Sequence, residues 1–256
     1  MIDKTAIISD TSRIDESTDI GPYCVIKGNV RIGKNNRIAS HVVIEGNTVI
    51  GNNNKIFQFA SIGSIPQDLK YKGENTELII GDNNVIREYA TFNPGTKGGG
   101  GVTVIGNGNL FMMSIHIAHD CVIGNHTIFA NHATLAGHVK VHDFAILGGL
   151  CAIHQYTTIG ESALIAGGAM VVQDVPPFLI ASGDRARIYG INRVGLERRN
   201  FSKKDIDAIK NAYKIVYRLK LTIKNAVEKI AQEIGYSENI EKFTGFILNS
   251  KRGITR

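Results

Sequence analysis

The 256-residue chain is long enough to bury a sizeable core, as one large domain or one domain with an appendage. No stretch is apolar enough to span a membrane and the opening MIDKTAIISD lacks the apolar centre of a signal peptide, so the expected location is the cytoplasm; Cys24, Cys121 and Cys151 are too few and too scattered for a disulfide scaffold or a paired Cys-x-x-Cys metal site. The net charge of +6 is unevenly placed: residues 1–192 hold 14 Lys/Arg against 16 Asp/Glu and residues 193–256 hold 15 against 7, so an anionic partner would meet the last quarter, with a solvated basic helical surface as the bland alternative.

In chain order, the first signal is a period of six. Ile8, Ile14, Ile20, Ile26, Ile32, Ile38, Ile44, Ile50, Ile56 and Ile62 keep it without a miss, and Ile80, Ile86 and Phe92 hold the phase. After the glycine-rich GTKGGGG the phase moves by one and runs from Ile105 to Val171. Four places after most of these large residues comes a small or β-branched one, such as Thr48, Ala60, Thr127 or Ala163, and the three cysteines fall in that same inward slot. A helix needs a period near 3.6 and a simple strand needs 2, so neither alone gives six. A coil with three flat sides does: each side is a short strand whose large residue points inward, followed by a turn. Gly, Asn, Asp and His crowd the turn positions, where left-handed backbone angles are needed. Stacked coils pair as parallel strands about 4.8 Å apart. The pattern predicts a mainly β fold, a parallel β-helix of hexapeptide repeats over residues 1–180. Known proteins of this build wind left-handed, against the usual crossover rule.

Two segments interrupt the repeat, at about residues 64–78 and 93–102, and loops on a rigid scaffold often carry function. The repeat is expected to end near VVQDVPPFL, where Pro176 and Pro177 remove ladder donors. A linker and a small basic α-helical domain then fill residues 181–256. Ser202 with Asp205 marks a helix start, followed by an apolar face of Ile206, Ile209, Tyr213 and Val216. A second helix carries Val227, Ile230 and Ile234 and stops at Gly235; a third carries Ile240, Phe243 and Ile247.

Residues 116–142 contain six of the eight histidines. On an 18-residue coil, Ile117, Leu135 and Ile153 stack, which brings His116, His119, His138 and His154 to one side over three coils. His126 and His132 fall in corners that suit a left-handed histidine, and His142 is assigned with them to the architecture of the coil. An open zinc site of three histidines is one use of the cluster. The close pairs 116/119, 132/138 and 138/142 lack the five-position spacing found in hexapeptide-repeat carbonic anhydrases, and no metal is assigned. A general base fits better. Asp120 directly follows His119 and can orient the ring, and no Ser or Cys motif for covalent catalysis appears, so the nucleophile would be a substrate hydroxyl. That chemistry is acyl transfer.

The motifs QFASIG, QDLKY, HIAHDCVIGN, ATLAGHV, HQY, QDVPPF, GINRVGLERR and NAYKIVYR, in this order over nearly the whole chain, closely resemble the carrier-protein-dependent UDP-N-acetylglucosamine 3-O-acyltransferases that begin lipid A synthesis. The resemblance implies that His119, supported by Asp120, deprotonates the glucosamine 3-hydroxyl for attack on a 3-hydroxyacyl thioester, with the Gly137 N–H stabilising the oxyanion. Gln67, Asp68, His116, His138, His154 and Gln155 would contact the sugar, and Asn192, Arg198 and Arg199 the nucleotide. It further implies a homotrimer with the site between copies, an acidic acyl carrier protein docked on the basic helices, and no cofactor beyond the donor's phosphopantetheine. No nucleic acid and no stable membrane insertion are implied. Gly167 stands where bulky residues shorten the accepted acyl chain, so a long chain is implied.

Three departures from that pattern stand out: Asn93 where many relatives have His, Val194 where some have Glu, and an opening segment about one repeat shorter than in some relatives. The sister N-acyltransferase normally carries an extra N-terminal domain, whereas here the repeat begins by Ile8; a coenzyme-A-dependent acetyltransferase would not be expected to carry QDLKY or this tail. A non-catalytic hexapeptide scaffold, which has no need of His119, is the alternative of a different class.

Overall fold

The computed structural model describes residues 1–256. Short strands, most of two residues, wind into a left-handed parallel β-helix with three faces. One face stacks Val25–Gly28, Ser61–Ile62, Thr91–Phe92, His116–Ile117, Thr134–Leu135, Ala152–Ile153 and Met170–Val171. The next stacks Glu77–Ile80, Val102–Ile105, Val122–Ile123, Lys140–Val141 and Thr158–Ile159; the third runs from Asp19–Ile20 to Leu164–Ile165. In undisturbed coils the partners are 18 apart, as in Ile105 with Ile123. Across the interruptions the spacing grows, Ile50 pairing with Ile80 and Ile80 with Ile105. Both interrupting loops therefore leave the coil at one corner, between the first and second faces.

The large residue of each repeat fills the core: Ile26, Ile62, Phe92, Phe111, Phe129 and Leu147 are fully buried, with Phe92, Phe111 and Phe129 in successive ring contacts of 5.1 Å. The inward small slot holds Cys24, Cys121 and Cys151 as expected, and burial pushes the Cys121 and Cys151 thiols up to about 12. At the corner between the second and third faces the same slot holds a ladder that the period did not reveal. Asn36, Asn54, Asn84 and Asn109 are buried, and each Oδ1 accepts the N–H of the residue stacked above it at 2.7–3.0 Å. Each Nδ2 meanwhile donates to the carbonyl of Gly51, Gly81, Gly106 or Gly124. Both ends of a buried amide are thus satisfied, which makes it tolerable in an apolar core.

The left-handed corner lies three places past the large residue. Asn35, Asn53, His126 and His132 occupy it with φ between 54° and 61°, as their types predict. Tyr23, Phe59, Tyr89, Phe144 and Tyr156 occupy it too, which composition does not predict. Ring contacts along the corners offset their strain: Phe59 stacks on Tyr89 at 5.2 Å and His126 on Phe144 at 5.1 Å.

The sheet continues beyond the prolines. Leu179–Ser182 adds a further parallel strand to Leu164–Ile165, and Arg187–Ile191 then turns back antiparallel. Four helices follow: α1 (Arg193–Arg198), α2 (Lys203–Arg218), α3 (Ile223–Glu233) and α4 (Glu238–Asn249). Ser202 caps α2 by accepting the Asp205 N–H, and the apolar faces read from the sequence meet in a second core around Ile209, Val216, Ile230 and Phe243. The short α1 was not foreseen. His142 sits at the joint, its ring edge-on to Phe246 of α4 at 6.1 Å.

Candidate active site

The corner from which both loops emerge is also where the stacked histidines lie. Asp120, His138 and Tyr156, 18 apart, occupy its left-handed positions with φ of 60°, 62° and 64°. His119 precedes Asp120 and turns its ring so that Nδ1 lies 2.7 Å from Asp120 Oδ2. The Asp120 side chain is wholly buried, and the second loop holds it: the Thr96 N–H donates to Oδ1 at 2.9 Å and the Thr96 hydroxyl to Oδ2 at 2.6 Å. Below, the Asp120 N–H donates to the Thr103 hydroxyl at 2.8 Å. With Thr96 donating to both of its oxygens, Asp120 is placed to accept from Nδ1–H, which leaves the His119 Nε2 lone pair for a substrate proton.

Two glycines make the arrangement possible. A Cβ on Gly99 would fall 2.0 Å from Asp120 Cγ, so the glycine-rich loop closes over the carboxylate only because it is glycine there. A Cβ on Gly137 would fall 2.5 Å from His119 Cε1 and 2.7 Å from Nε2, which puts the Gly137 backbone against the reactive edge of the ring. The Gly137 N–H has no acceptor within the chain.

His138 stands edge-on to His119, ring centres 5.1 Å apart, and stacks flat on Tyr156 at 4.3 Å. Burial holds its pKa below the usual histidine value, against the upward pull of Asp120 and, more weakly, of Asp68. His116 is also held low, chiefly by burial and secondarily by His119; its Nδ1 lies 2.7 Å from the Thr91 hydroxyl. His119, Asp120 and His138 present ligand-capable atoms within 4.8 Å of one another. Asp120 Oδ2 is already shared between His119 and Thr96, and His138 Nε2 lies 3.8 Å from it, beyond hydrogen-bond reach, so the bonded unit is the His119–Asp120 pair held by Thr96.

Two hollows flank the corner. A cavity of about 510 Å³ on the first face is lined by Gln67, Asn93, His116, His119, Gly137 and His154. A groove of about 980 Å³ between the second face and α4 includes Asp120, His138, Lys140, Tyr156 and Arg252. Asn93 ties the first loop to this scaffold, its Nδ2 donating to the Ser64 and Ile65 carbonyls at 2.9 and 3.3 Å, while its buried Oδ1 has no partner.

The structure therefore brings together His116, His119, Asp120, Gly137, His138, His154 and Gln67, with Asp68 close enough to act on His138. Gln155 stands beside them, its carbonyl 3.2 Å from His154 Nδ1. Gly167, Asn192, Arg198 and Arg199 line neither hollow. Asn192 is buried as the cap of α1, donating to the Ser162 carbonyl and accepting from Gly195. Arg199 pairs with Glu161 at 3.0 Å, bonds the Ser162 hydroxyl and lies 3.6 Å over the Phe144 ring; Arg198 is exposed. Sequence reasoning missed Thr96, Thr103, Thr91 and Tyr156. Tyr156 alone had a signal, its place 18 residues past His138.

A three-sided coil carrying a histidine–carboxylate pair at one corner defines a hexapeptide-repeat transferase, and the bacterial transferase hexapeptide (six repeats) family model matches residues 11–46 and 102–137. The model for domain 2 of UDP-N-acetylglucosamine O-acyltransferase matches residues 174–255. An acyl-[acyl-carrier-protein]–UDP-N-acetylglucosamine O-acyltransferase of Thermodesulfovibrio yellowstonii is 54% identical, covering 100% of this chain and 99% of its own. One of Aliarcobacter butzleri is 51% identical, covering 99% and 97%. The crystal structure of a UDP-N-acetylglucosamine acyltransferase from Bacteroides fragilis superposes with a TM-score of 0.98 at 43% identity over 100% of both chains. The chain belongs to the UDP-N-acetylglucosamine O-acyltransferase family.

Proposed function

We propose that this chain transfers an (R)-3-hydroxyacyl group from acyl carrier protein to the glucosamine 3-hydroxyl of UDP-N-acetylglucosamine, the first step of lipid A biosynthesis. The observation that carries the reading is the buried Asp120 holding His119 Nδ1, with the Gly137 backbone against the ring's other nitrogen. Nε2 of His119 takes the proton of the 3-hydroxyl as its oxygen attacks the thioester carbonyl carbon. The Gly137 N–H donates to the resulting oxyanion. As the C–S bond breaks, the proton on Nε2 passes to the departing thiolate, which restores the base. No resident cofactor is required, since the acyl group arrives on phosphopantetheine.

Gln67, His116 and His154 line the cavity beside His119, and with Asp68, His138 and Gln155 they would contact the sugar whose hydroxyl reaches the base. Asn192, Arg198 and Arg199, remote from that cavity within one chain, would hold the nucleotide from α1 of a neighbouring copy in a homotrimer. The basic helical segment suits an acidic carrier protein. A Cβ on Gly167 would lie 3.3 Å from the Gly149 carbonyl, a tight contact, and the family resemblance reads glycine at this position as room for a long acyl chain. No helix is long and apolar enough to cross a membrane. The test is purified protein with UDP-N-acetylglucosamine and 3-hydroxyacyl-carrier proteins of graded length. Ester product is expected with the longer chains, and no product at any length would overturn the assignment in favour of a scaffold role.

A further inference from the structure

Beyond α4 the chain folds back along the last coil. The Ser250 hydroxyl donates to Asp174 Oδ2 at 2.7 Å, the Asp174 N–H to the Gly253 carbonyl at 3.1 Å, and the Thr255 N–H to the Asp174 carbonyl at 2.8 Å. The Tyr217 hydroxyl reaches the Thr255 carbonyl from α2 at 3.1 Å. Asp174 is buried, so these pins rest on the core, and Gly253 supplies the left-handed turn between them with φ 76°. A tail fixed at so many points places the residue between the pins accurately.

That residue is Arg252. Its Nε and Nη2 donate to the Val172 carbonyl at 3.3 and 3.1 Å, and Nη2 lies 3.4 Å from His154 Nδ1. It forms no ion pair, unlike Arg87, Arg193 and Arg199. A half-buried guanidinium with five donors, spent on one carbonyl and the edge of an imidazole, lacks its counter-charge. The acidic groups of the adjoining groove are engaged elsewhere: Asp120 by Thr96 and His119, Asp174 by Ser250 and Thr158, Glu161 by Arg199 and Lys242. Val172 and His154 line the cavity that holds His119, whereas Arg252 lines the groove on the other side of the corner, so the guanidinium stands where the two hollows meet.

We propose that Arg252, beside His154, forms an anion subsite that grips a phosphate of a substrate as it passes into the His119 cavity. A planar guanidinium matches the paired oxygens of a phosphate, and its charge would be compensated on binding. The inference rests on the acyl-transfer reading, under which both reactants carry the group: the phosphodiester of the donor's phosphopantetheine and the diphosphate of the nucleotide sugar.

Steady-state kinetics on Arg252→Ala and Arg252→Lys separate these sources. The alanine variant is expected to raise KM for one substrate about tenfold, equivalent to about 1.4 kcal/mol, with kcat changed less than about threefold and the lysine variant in between. If the donor is gripped, acyl-phosphopantetheine loses affinity and acyl-pantetheine without the phosphate does not. If the acceptor is gripped, the rise falls on UDP-N-acetylglucosamine. Calorimetric titration of phosphopantetheine and of UDP into both proteins tests the subsite without turnover, so it remains decisive even if the wild-type protein transfers no acyl group and the functional reading fails. Both KM values within twofold of wild type, equal losses with and without the donor phosphate while the nucleotide sugar is unaffected, or titrations unchanged by the alanine substitution would each overturn the proposal.

Discussion

His119 Nδ1 lies 2.7 Å from an Asp120 carboxylate that has no exposed surface and takes two further hydrogen bonds from Thr96. The pair fixes the ring's tautomer and stabilises the imidazolium that forms when Nε2 takes a proton. Asp120→Asn is expected to lower kcat roughly 10- to 100-fold with little change in KM, part of the 10²–10⁴ that a general base supplies. Thr96→Val, which removes one hydrogen bond to a charged group, should cost about 1.5–3 kcal/mol of stability by denaturant unfolding and lower kcat in the same direction. An Asp120→Asn enzyme with wild-type kcat would remove the carboxylate from the mechanism.

The Gly137 backbone lies against the His119 ring. Alanine there would bring a methyl group within 2.5 Å of the ring, and the ring has to move. Displacement of a catalytic group by about 1 Å costs about 100-fold in rate, so Gly137→Ala should lose activity to that extent while its far-ultraviolet circular dichroism stays that of the wild type. Unchanged kcat would mean that the ring's observed position is not the working one.

Asn93 pins the loop that carries Gln67 and Asp68 to the coil beneath it. Asn93→Ala frees two loop carbonyls and should raise KM for the nucleotide sugar more than it changes kcat, by about tenfold, with faster proteolytic nicking between residues 64 and 76. Kinetics and cleavage rates equal to wild type would show that the loop holds its place without the amide.

The asparagine ladder makes a prediction about folding alone. Asn84→Ala removes the acceptor for the buried Asn109 N–H and the donor to the partly buried Gly106 carbonyl. The expected loss is about 1–3 kcal/mol in chemical denaturation, with activity at low temperature retained.

Acid should destabilise the protein through three histidines whose surroundings disfavour the charged form. His116, His138 and His142 are held below 6.5 chiefly by burial, so the unfolded chain binds more protons than the folded one in the window between that value and the lower folded values. Stability therefore holds above about pH 6.5 and falls as pH drops through the folded values. The thermal midpoint should follow this course, and the fall should be shallower in His142→Asn, which lies away from the catalytic corner.

Much of this molecule is legible in its sequence because the coil repeats. The six-residue period gives the strands, the 18-residue stack gathers His116, His119, His138 and His154, and corner slots assign His126 and His132 to the backbone. The ladder of Asn36, Asn54, Asn84 and Asn109 kept the period but departs from the small or β-branched residues that the inward slot otherwise holds. Tyr23, Phe59 and Tyr156 were unexpected in left-handed corners, because ring stacking between coils is a tertiary effect that residue type does not report. The strand Leu179–Ser182 follows two prolines, which stop hydrogen-bond donation locally without ending the coil. Thr96 and Arg252 reach the site from a loop and from the tail, where no period exists to place them.

The central claim is that His119 takes the proton of the acceptor hydroxyl. The most direct measurement is the rate of acyl transfer by purified His119→Ala, with UDP-N-acetylglucosamine and a 3-hydroxyacyl-carrier protein, compared with wild type at equal folding stability. A fall of about 10²–10⁴ in kcat is predicted, and near-wild-type turnover would contradict the account.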